Sequence, residues 1–237
     1  ERNPDAAASP TIRLNGDGLA LVSLACDGGS CDGHMIDGDD LVVTLPGDRH
    51  VLTIVTELDP SDNSQLMGLY ASNGMLCTQC EAEGFRRITF FPDRPDVLST
   101  YTVRMSGPRA QFPVLLCNGN RTSEGADGDT HWAEWHDPSP KPSYLFALVA
   151  GDLVARTDHF TTMGGREVEL NVYVREGDLD RTEHAIESLK RSMQWDEEVF
   201  GREYDLDLFN IVAVSDFNMG AMENKGLNVF NTKYVLA

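Results

Sequence analysis

Hydrophobic positions in the first half of the chain fall in short runs set apart by turn-forming clusters. Residues 19–24, 41–45, 51–56, 87–91 and 100–105 are rich in Val, Ile, Thr and Phe, and Asp-Gly, Pro-Gly and Pro-Ser pairs bound them. Such runs predict the strands of an antiparallel sandwich. Residues 113–117 and 131–135, with Asn118-Gly119 and a polar stretch between them, predict one more hairpin with a long loop. This mostly β region is expected to occupy residues 1–150.

The pattern then changes. Residues 167–174 and 209–214 read as strands, and 178–201 as a helix whose Ala185, Ile186, Leu189, Met193, Val199 and Phe200 keep near one face. Asp178 or Asp180 is available as its cap and Gly201 as its stop. Residues 151–237 therefore open a second, α/β domain. A strand-helix-strand of this size cannot enclose its own core, so that domain is expected to be incomplete.

Composition narrows the function classes. With 237 residues, 41% of them hydrophobic, the chain has enough apolar material for real cores. Its 38 acidic residues against 19 Lys and Arg give a net charge of −19, which repels phosphate backbones and anionic lipid. Neither nucleic acid nor a membrane surface is expected as a partner. The acidity suits a positively charged ligand such as a peptide amine, and equally a solubility or high-salt adaptation. No apolar run approaches the roughly 18 residues that cross a bilayer. The chain opens on Glu1-Arg2-Asn3-Pro4 without Met or a signal segment. An incomplete N-terminus and a cytoplasmic location are the expectations. Five cysteines, an odd number beside ample core, point to reduced thiols. The rival arrangement is a four-thiolate zinc site from Cys26, Cys31, Cys77 and Cys80, whose two pairs differ in spacing.

Two glycine-bearing stretches carry acidic side chains, Cys77-Thr78-Gln79-Cys80-Glu81-Ala82-Glu83-Gly84-Phe85-Arg86 and Asn218-Met219-Gly220-Ala221-Met222-Glu223-Asn224-Lys225-Gly226. A Glu in such a loop is ordinarily a solvated charge. Within the second stretch, however, Gly220-Ala221-Met222-Glu223-Asn224 resembles the exopeptidase signature of the aminopeptidase N family of zinc metallopeptidases, and the flank Lys225-Gly226-Leu227-Asn228 resembles that family's usual continuation. The first is similar to the loop through which bacterial-type members supply a second acidic residue. Asp93-Arg94-Pro95-Asp96-Val97, the run from Lys141 through Gly151, and Trp195-Asp196-Glu197 resemble the family in the same order.

The resemblance implies a mostly β, saddle-like N-terminal sandwich domain, followed by the incomplete start of an α/β thermolysin-like catalytic domain. It implies that Glu81 and Glu223 bind the free α-ammonium of a peptide, two carboxylates fixing the first residue and so the bond to be cut. Gly220 and Ala221 lack bulk, which lets their backbone pair with an extended substrate. Asn224 would orient the peptide, Gln79 and Met219 would line the pocket for its first side chain, and Met222 completes the substrate-binding set.

The family's zinc site, His-Glu-x-x-His on a helix with a further Glu, does not occur in this sequence. The six histidines offer one close pair, His131 and His136, whose odd spacing puts them on opposite faces of a strand. The expectation is thus a piece of a monomeric zinc aminopeptidase that acts on peptides with a free N-terminus. Zinc ligands and catalytic groups would lie beyond Ala237, and the piece alone would be inactive. The alternatives are the superfamily's epoxide hydrolase with peptidase activity and a non-catalytic β-sandwich binding module. Asn120-Arg121-Thr122 reads as a sequon without a compartment to use it, and Trp132 and Trp135 as packing residues rather than a carbohydrate platform.

Overall fold

The computed structural model describes residues 10–45 and 47–237, so the opening residues 1–4 and Pro46 lie outside it. Two compact units divide the chain, each built from separate segments. Among the described residues, one comprises those from 10 up to 70 together with 79–98 and 142–144, the other residues 71–78, 99–141 and 145–237.

In the first unit, β1 (Thr11–Leu14), β2 (Ala20–Cys26), β3 (Gly29–Ser30), β4 (His34–Asp37), β5 (Asp40–Thr44) and β6 (Leu52–Glu57) make two antiparallel sheets, ordered β1-β5-β4 and β3-β2-β6. Leu41 and Val43 alternate inward along β5. With Leu14 and Phe90 they meet Leu21, Leu24 and Ile54 of the other sheet in one core. Turn residues Asp27 and Gly28 both have positive φ, 52° and 78°, as a two-residue hairpin turn requires.

That turn brings Cys26 and Cys31 to a Cα separation of 5.2 Å, and they form a disulfide. The expectation of five reduced thiols is corrected here, because the tight turn pairs Cys26 with Gly29 and so carries Cys31, two residues on, back within bonding reach. The four-thiolate zinc arrangement loses one of its pairs for the same reason. Cys77, Cys80 and Cys117 remain buried thiols. Residues 87–91 do not form the expected strand. The chain makes a 3-10 turn at Phe85–Arg87, and Phe91 meets Asn15 in a single bridge.

The second unit starts inside the hairpin of β7 (Gly68–Ser72) and β8 (Met75–Gln79). It continues through β9 (Ser99–Pro108), β10 (Val114–Cys117), β11 (Asn120–Asp127), β12 (Thr130–Lys141) and β13 (Leu148–Gly151). Sheets β11-β12-β9 and β10-β13-β8-β7 result. The polar stretch expected to be a loop is β11, an exposed strand at a sheet edge, with the turn at Gly128. Edge exposure makes it polar and hides it from a search for apolar runs. Because β10 pairs with β13 instead, Asn118-Gly119 is a corner between sheets and not a hairpin turn. Trp135 is buried, and Trp132 lies under the Arg104 guanidinium, 3.9 Å from the ring centroid. His131 and His136 share β12 but bond apart, to the Phe112 carbonyl and the Thr102 hydroxyl.

The chain then forms β14 (Val154–Thr161), β15 (Glu167–Val174), α1 (Glu183–Phe200), β16 (Leu208–Val214), β17 (Ala221–Met222), β18 (Leu227–Asn231) and the short α2 (Thr232–Val235). One sheet ordered β14-β15-β16-β18-β17 holds its five strands. Strands β15, β16 and β18 run parallel, and β14 and β17 are antiparallel to their neighbours. Val168, Leu170, Val172 and Val174 alternate toward Ala185, Ile186 and Met193 of α1. Neither Asp178 nor Asp180 caps α1. They belong to a preceding 3-10 turn, and Thr182, whose hydroxyl accepts from Arg156 Nε at 2.8 Å, stands at the N-cap. Gly201, with φ of 60°, stops the helix as expected. Val199 and Phe200 are exposed rather than on the buried face.

Candidate amine-recognition segments

Gln79 ends β8 and Glu81 follows it in a tight turn. Gly84 N–H donates to the Cys80 carbonyl at 2.8 Å. A Cβ on Gly84 would come within 2.3 Å of the Gln79 carbonyl oxygen, so only glycine permits this closure. Gln79 is buried and its Nε2 donates to the Glu81 carbonyl at 3.3 Å, while the Glu81 side chain is half-buried. Glu83 is exposed and pairs with Arg86 at 3.1 Å.

Arg86 ties this turn down. Its backbone N–H and Nε donate to Asp93 Oδ2 at 3.1 and 3.0 Å, and its NH2 donates to the Asp93 carbonyl at 2.8 Å. Asp93 is 3% exposed, accepts also from the Ser143 hydroxyl, and its N–H donates to Asn15 Oδ1 at 3.2 Å. Sequence reasoning quoted Asp93 only as part of a motif. A carboxylate followed by Arg and Pro gives no local sign that its partner is seven residues upstream.

In the other unit, Met219 to Asn224 pass through β17, the last strand of the five-stranded sheet. Its pairing is two residues long, Ala221 with Phe230 and Met222 with Val229. Burial alternates: Ala221 and Glu223 are exposed, Met222 and Asn224 buried. Gly220 is exposed and Met219 half-buried. A buried Met222 side chain leaves its backbone as the part able to meet a ligand. Asn224 Oδ1 is buried without a hydrogen-bond partner, and the residue's carbonyl accepts from Leu227 N–H at 2.9 Å. The predicted set thus forms two groups, Gln79 with Glu81 in one unit and Met219 through Asn224 in the other.

Glu223 and Lys225 also line a cleft of about 950 Å³ on the α1 side of the sheet. Phe209, Ile211, Asn228 and Phe230 of β16 and β18 form its floor, and Leu189, Met193 and Phe200 of α1 its flank. Among the described residues no three His, Cys, Asp or Glu side chains converge as metal ligands, so zinc does not fit the groups present here. None of the helices among those residues is long and apolar enough to cross a membrane.

Two family models match the chain, the peptidase M1 N-terminal domain over residues 37–145 and the peptidase family M1 domain over residues 184–237. Aminopeptidase N of Caulobacter vibrioides is 60% identical over 227 residues, and that of Escherichia coli 53% identical over 232.

This chain belongs to the M1 peptidase family.

Its mostly β architecture is that of M1 N-terminal domains joined to the start of the catalytic domain. The M1 chain spans about a quarter of these relatives: the two alignments cover 94% and 98% of it, but 26% and 27% of the longer proteins. Among solved structures, Legionella pneumophila aminopeptidase A in complex with aspartic acid superposes with a TM-score of 0.92 at 34% identity. That match covers 98% of the M1 chain and 28% of the other. A Deinococcus radiodurans M1 zinc metallopeptidase mutant bound to a Tyr-Ser-Ala substrate shares the fold, with a TM-score of 0.80 at 20% identity, over 95% of this chain and 53% of that one.

Proposed function

We propose that this chain is the part of an M1 zinc aminopeptidase that grips the free N-terminus of a peptide, with Glu81 and Glu223 as the two carboxylates that receive its ammonium. The carrying observation is β17: an edge strand that presents Ala221 and Glu223 outward and turns Met222 and Asn224 inward. An extended peptide adds to such an edge through its backbone, and the outward carboxylate then meets its amine. Gly220 keeps that approach open, and Gln79 and Met219 border the first side chain. Two carboxylates on one ammonium select an unblocked N-terminus and so fix which peptide bond is presented.

Zinc belongs to the complete enzyme, with ligands outside this chain; when bound, it activates the attacking water. The N-terminal domain ends near residue 150 in this reading, supported by the two family matches lying on either side of that point. A monomeric, cytoplasmic enzyme is part of this reading as well, and the Cys26–Cys31 disulfide is the observation that weighs against a reducing compartment.

The test uses the complete enzyme with Glu81→Gln, Glu223→Gln and Glu83→Gln. The first two should lower kcat/KM on aminoacyl substrates by about ten- to a hundredfold, a charged hydrogen bond contributing roughly 1.5–3 kcal/mol. They should also lose discrimination against N-acetylated peptides, with zinc content unchanged. Glu83, paired with Arg86, should tolerate the change. Loss of free-amine preference in Glu83→Gln with Glu81→Gln unaffected would reassign the site.

A further inference from the structure

The strand that leads into Glu223 pairs with its own sheet over a short stretch. Its ladder to β18 is two residues long, and β18 is its one neighbour in the sheet. So short a ladder gives at most a few hydrogen bonds of about 1 kcal/mol net each. Asn231 of β18 adds an Nδ2 donation to the Phe217 carbonyl at 3.1 Å and an N–H donation to the Gly220 carbonyl at 2.9 Å, and beyond these both ends of the segment are gripped by side chains from far upstream.

On the downstream side, Asn118 is buried and spends its whole amide. Its Nδ2 donates to the carbonyls of Leu145 at 3.1 Å and Lys225 at 2.9 Å, and its Oδ1 accepts from Ala147 N–H at 2.7 Å. The corner it begins passes against the next residue of the segment: a Cβ on Gly226 would stand 3.1 Å from Gly119 N. Gly119 has φ of 85°, and a Cβ there would lie 2.2 Å from the His136 carbonyl oxygen, so the corner's passage against β12 needs glycine. Lys225 Nζ adds donations to Ser139 Oγ at 2.8 Å and Asp205 Oδ2 at 2.7 Å.

On the upstream side, the turn between β7 and β8 holds the residues that leave β16. Ser72 Oγ donates to Asp216 Oδ2 at 2.7 Å, and Asn73 Nδ2 donates to Ser215 Oγ and Asp216 Oδ2 at 3.0 Å each. Arg175 in turn donates to the Ser72 carbonyl at 3.2 Å. Asn73 has φ of 47°, which fixes it in the turn.

We infer that Asn118 and the Ser72-Asn73 turn are positioning residues, which clamp the segment from Asp216 to Lys225 at both ends and thereby set where Glu223 stands. None of them touches the peptide. They act through the backbone and side chains that bracket β17. The kinetic part rests on the proposed amine-binding role of Glu223, while the clamp itself does not.

The test has two arms. In this chain, amide hydrogen exchange is followed by mass spectrometry in the wild type, in Ser72→Ala combined with Asn73→Gly, and in Asn118→Asp. The Gly variant keeps the positive-φ turn and removes the donor, so folding is spared. Asn118→Asp is isosteric but sets an acceptor against two carbonyls. Exchange over residues 217–226 should quicken about tenfold in both, while β15 and α1 hold their protection. In the complete enzyme, both variants should raise KM for free-amine substrates about five- to tenfold, with kcat within about twofold and zinc content constant. Unchanged exchange overturns the clamp. Faster exchange with unaltered KM, in a parent active on free amines, overturns the positioning role. A parent inactive on them refutes the proposed function, and faster exchange would then still support the clamp.

Discussion

Asp93 is where one residue has the largest leverage on the Glu81 turn. Its carboxylate is nearly inaccessible and serves two Arg86 donors and the Ser143 hydroxyl at once. Asp93→Ala removes the carboxylate that holds Nε of an Arg86 only 19% exposed, and leaves that guanidinium Glu83 and the residue-93 carbonyl. Removing one partner from such a network costs about 1–3 kcal/mol, most of it the desolvation of the donors left unmet. Chemical denaturation of the variant should read a loss in that range. A loss below about 1 kcal/mol would mean that water replaces the carboxylate and that Asp93 does not organise the turn. Cys117 gives a second residue-scale outcome. Burial pushes its thiol up to about 12, and its Sγ donates to the Ala147 carbonyl at 3.1 Å. In the folded protein it should resist alkylation at pH 8, where an exposed thiol reacts readily. Labelling at the unfolded-state rate would show that the core around it opens.

The β2–β3 hairpin carries the element-scale prediction. Its Cys26–Cys31 link closes a short loop, and chain entropy gives such a closure about 2 kcal/mol. Reduction, or Cys26→Ser with Cys31→Ser, should lower stability by that amount and leave the 217–226 segment unaltered. No loss would show the hairpin to be held by its turn and its pairing to β6 alone. The same hairpin explains what could be read from the sequence. Strands β2, β5, β6, β9, β15 and β16 were legible because each combines apolar or β-branched residues with a face at least half-buried. Strand β11 was not, since Asn120 to Asp127 meet solvent and have no apolar run. Disulfide pairing depends on which turn falls between two cysteines, and counting them does not reveal it. Within the candidate site, the signature around Glu223 was legible as a motif. The clamp was not, because Ser72, Asn73 and Asn118 lie about a hundred residues or more from the groups they hold. Composition and periodicity carry no record of such pairings.

At the scale of the whole chain, apolar exposure and charge oppose each other. Helix α1 packs on β14 and β15, and over β16 and β18 the same sheet face opens into the cleft floored by Phe209, Ile211 and Phe230. Beside it Trp195, Val199, Phe200 and Tyr234 are exposed, with 53% of Trp195 and 73% of Tyr234 accessible. A surface of this kind associates with others like it. A net charge of −19 resists that, because two approaching copies repel over the Debye length. The balance should therefore shift with salt. At low ionic strength, where the Debye length is roughly 30 Å, the isolated chain should remain monomeric while still binding a hydrophobic dye. Near 1 M, where it falls to about 3 Å, the chain should self-associate, and bound dye should fall as cleft surfaces cover one another. Light scattering and dye fluorescence across that salt series measure both effects. Phe230→Lys places a charge on the cleft floor and should abolish association and most dye binding together. Association that weakens with salt, or that survives this substitution, would place the sticky surface elsewhere in the chain.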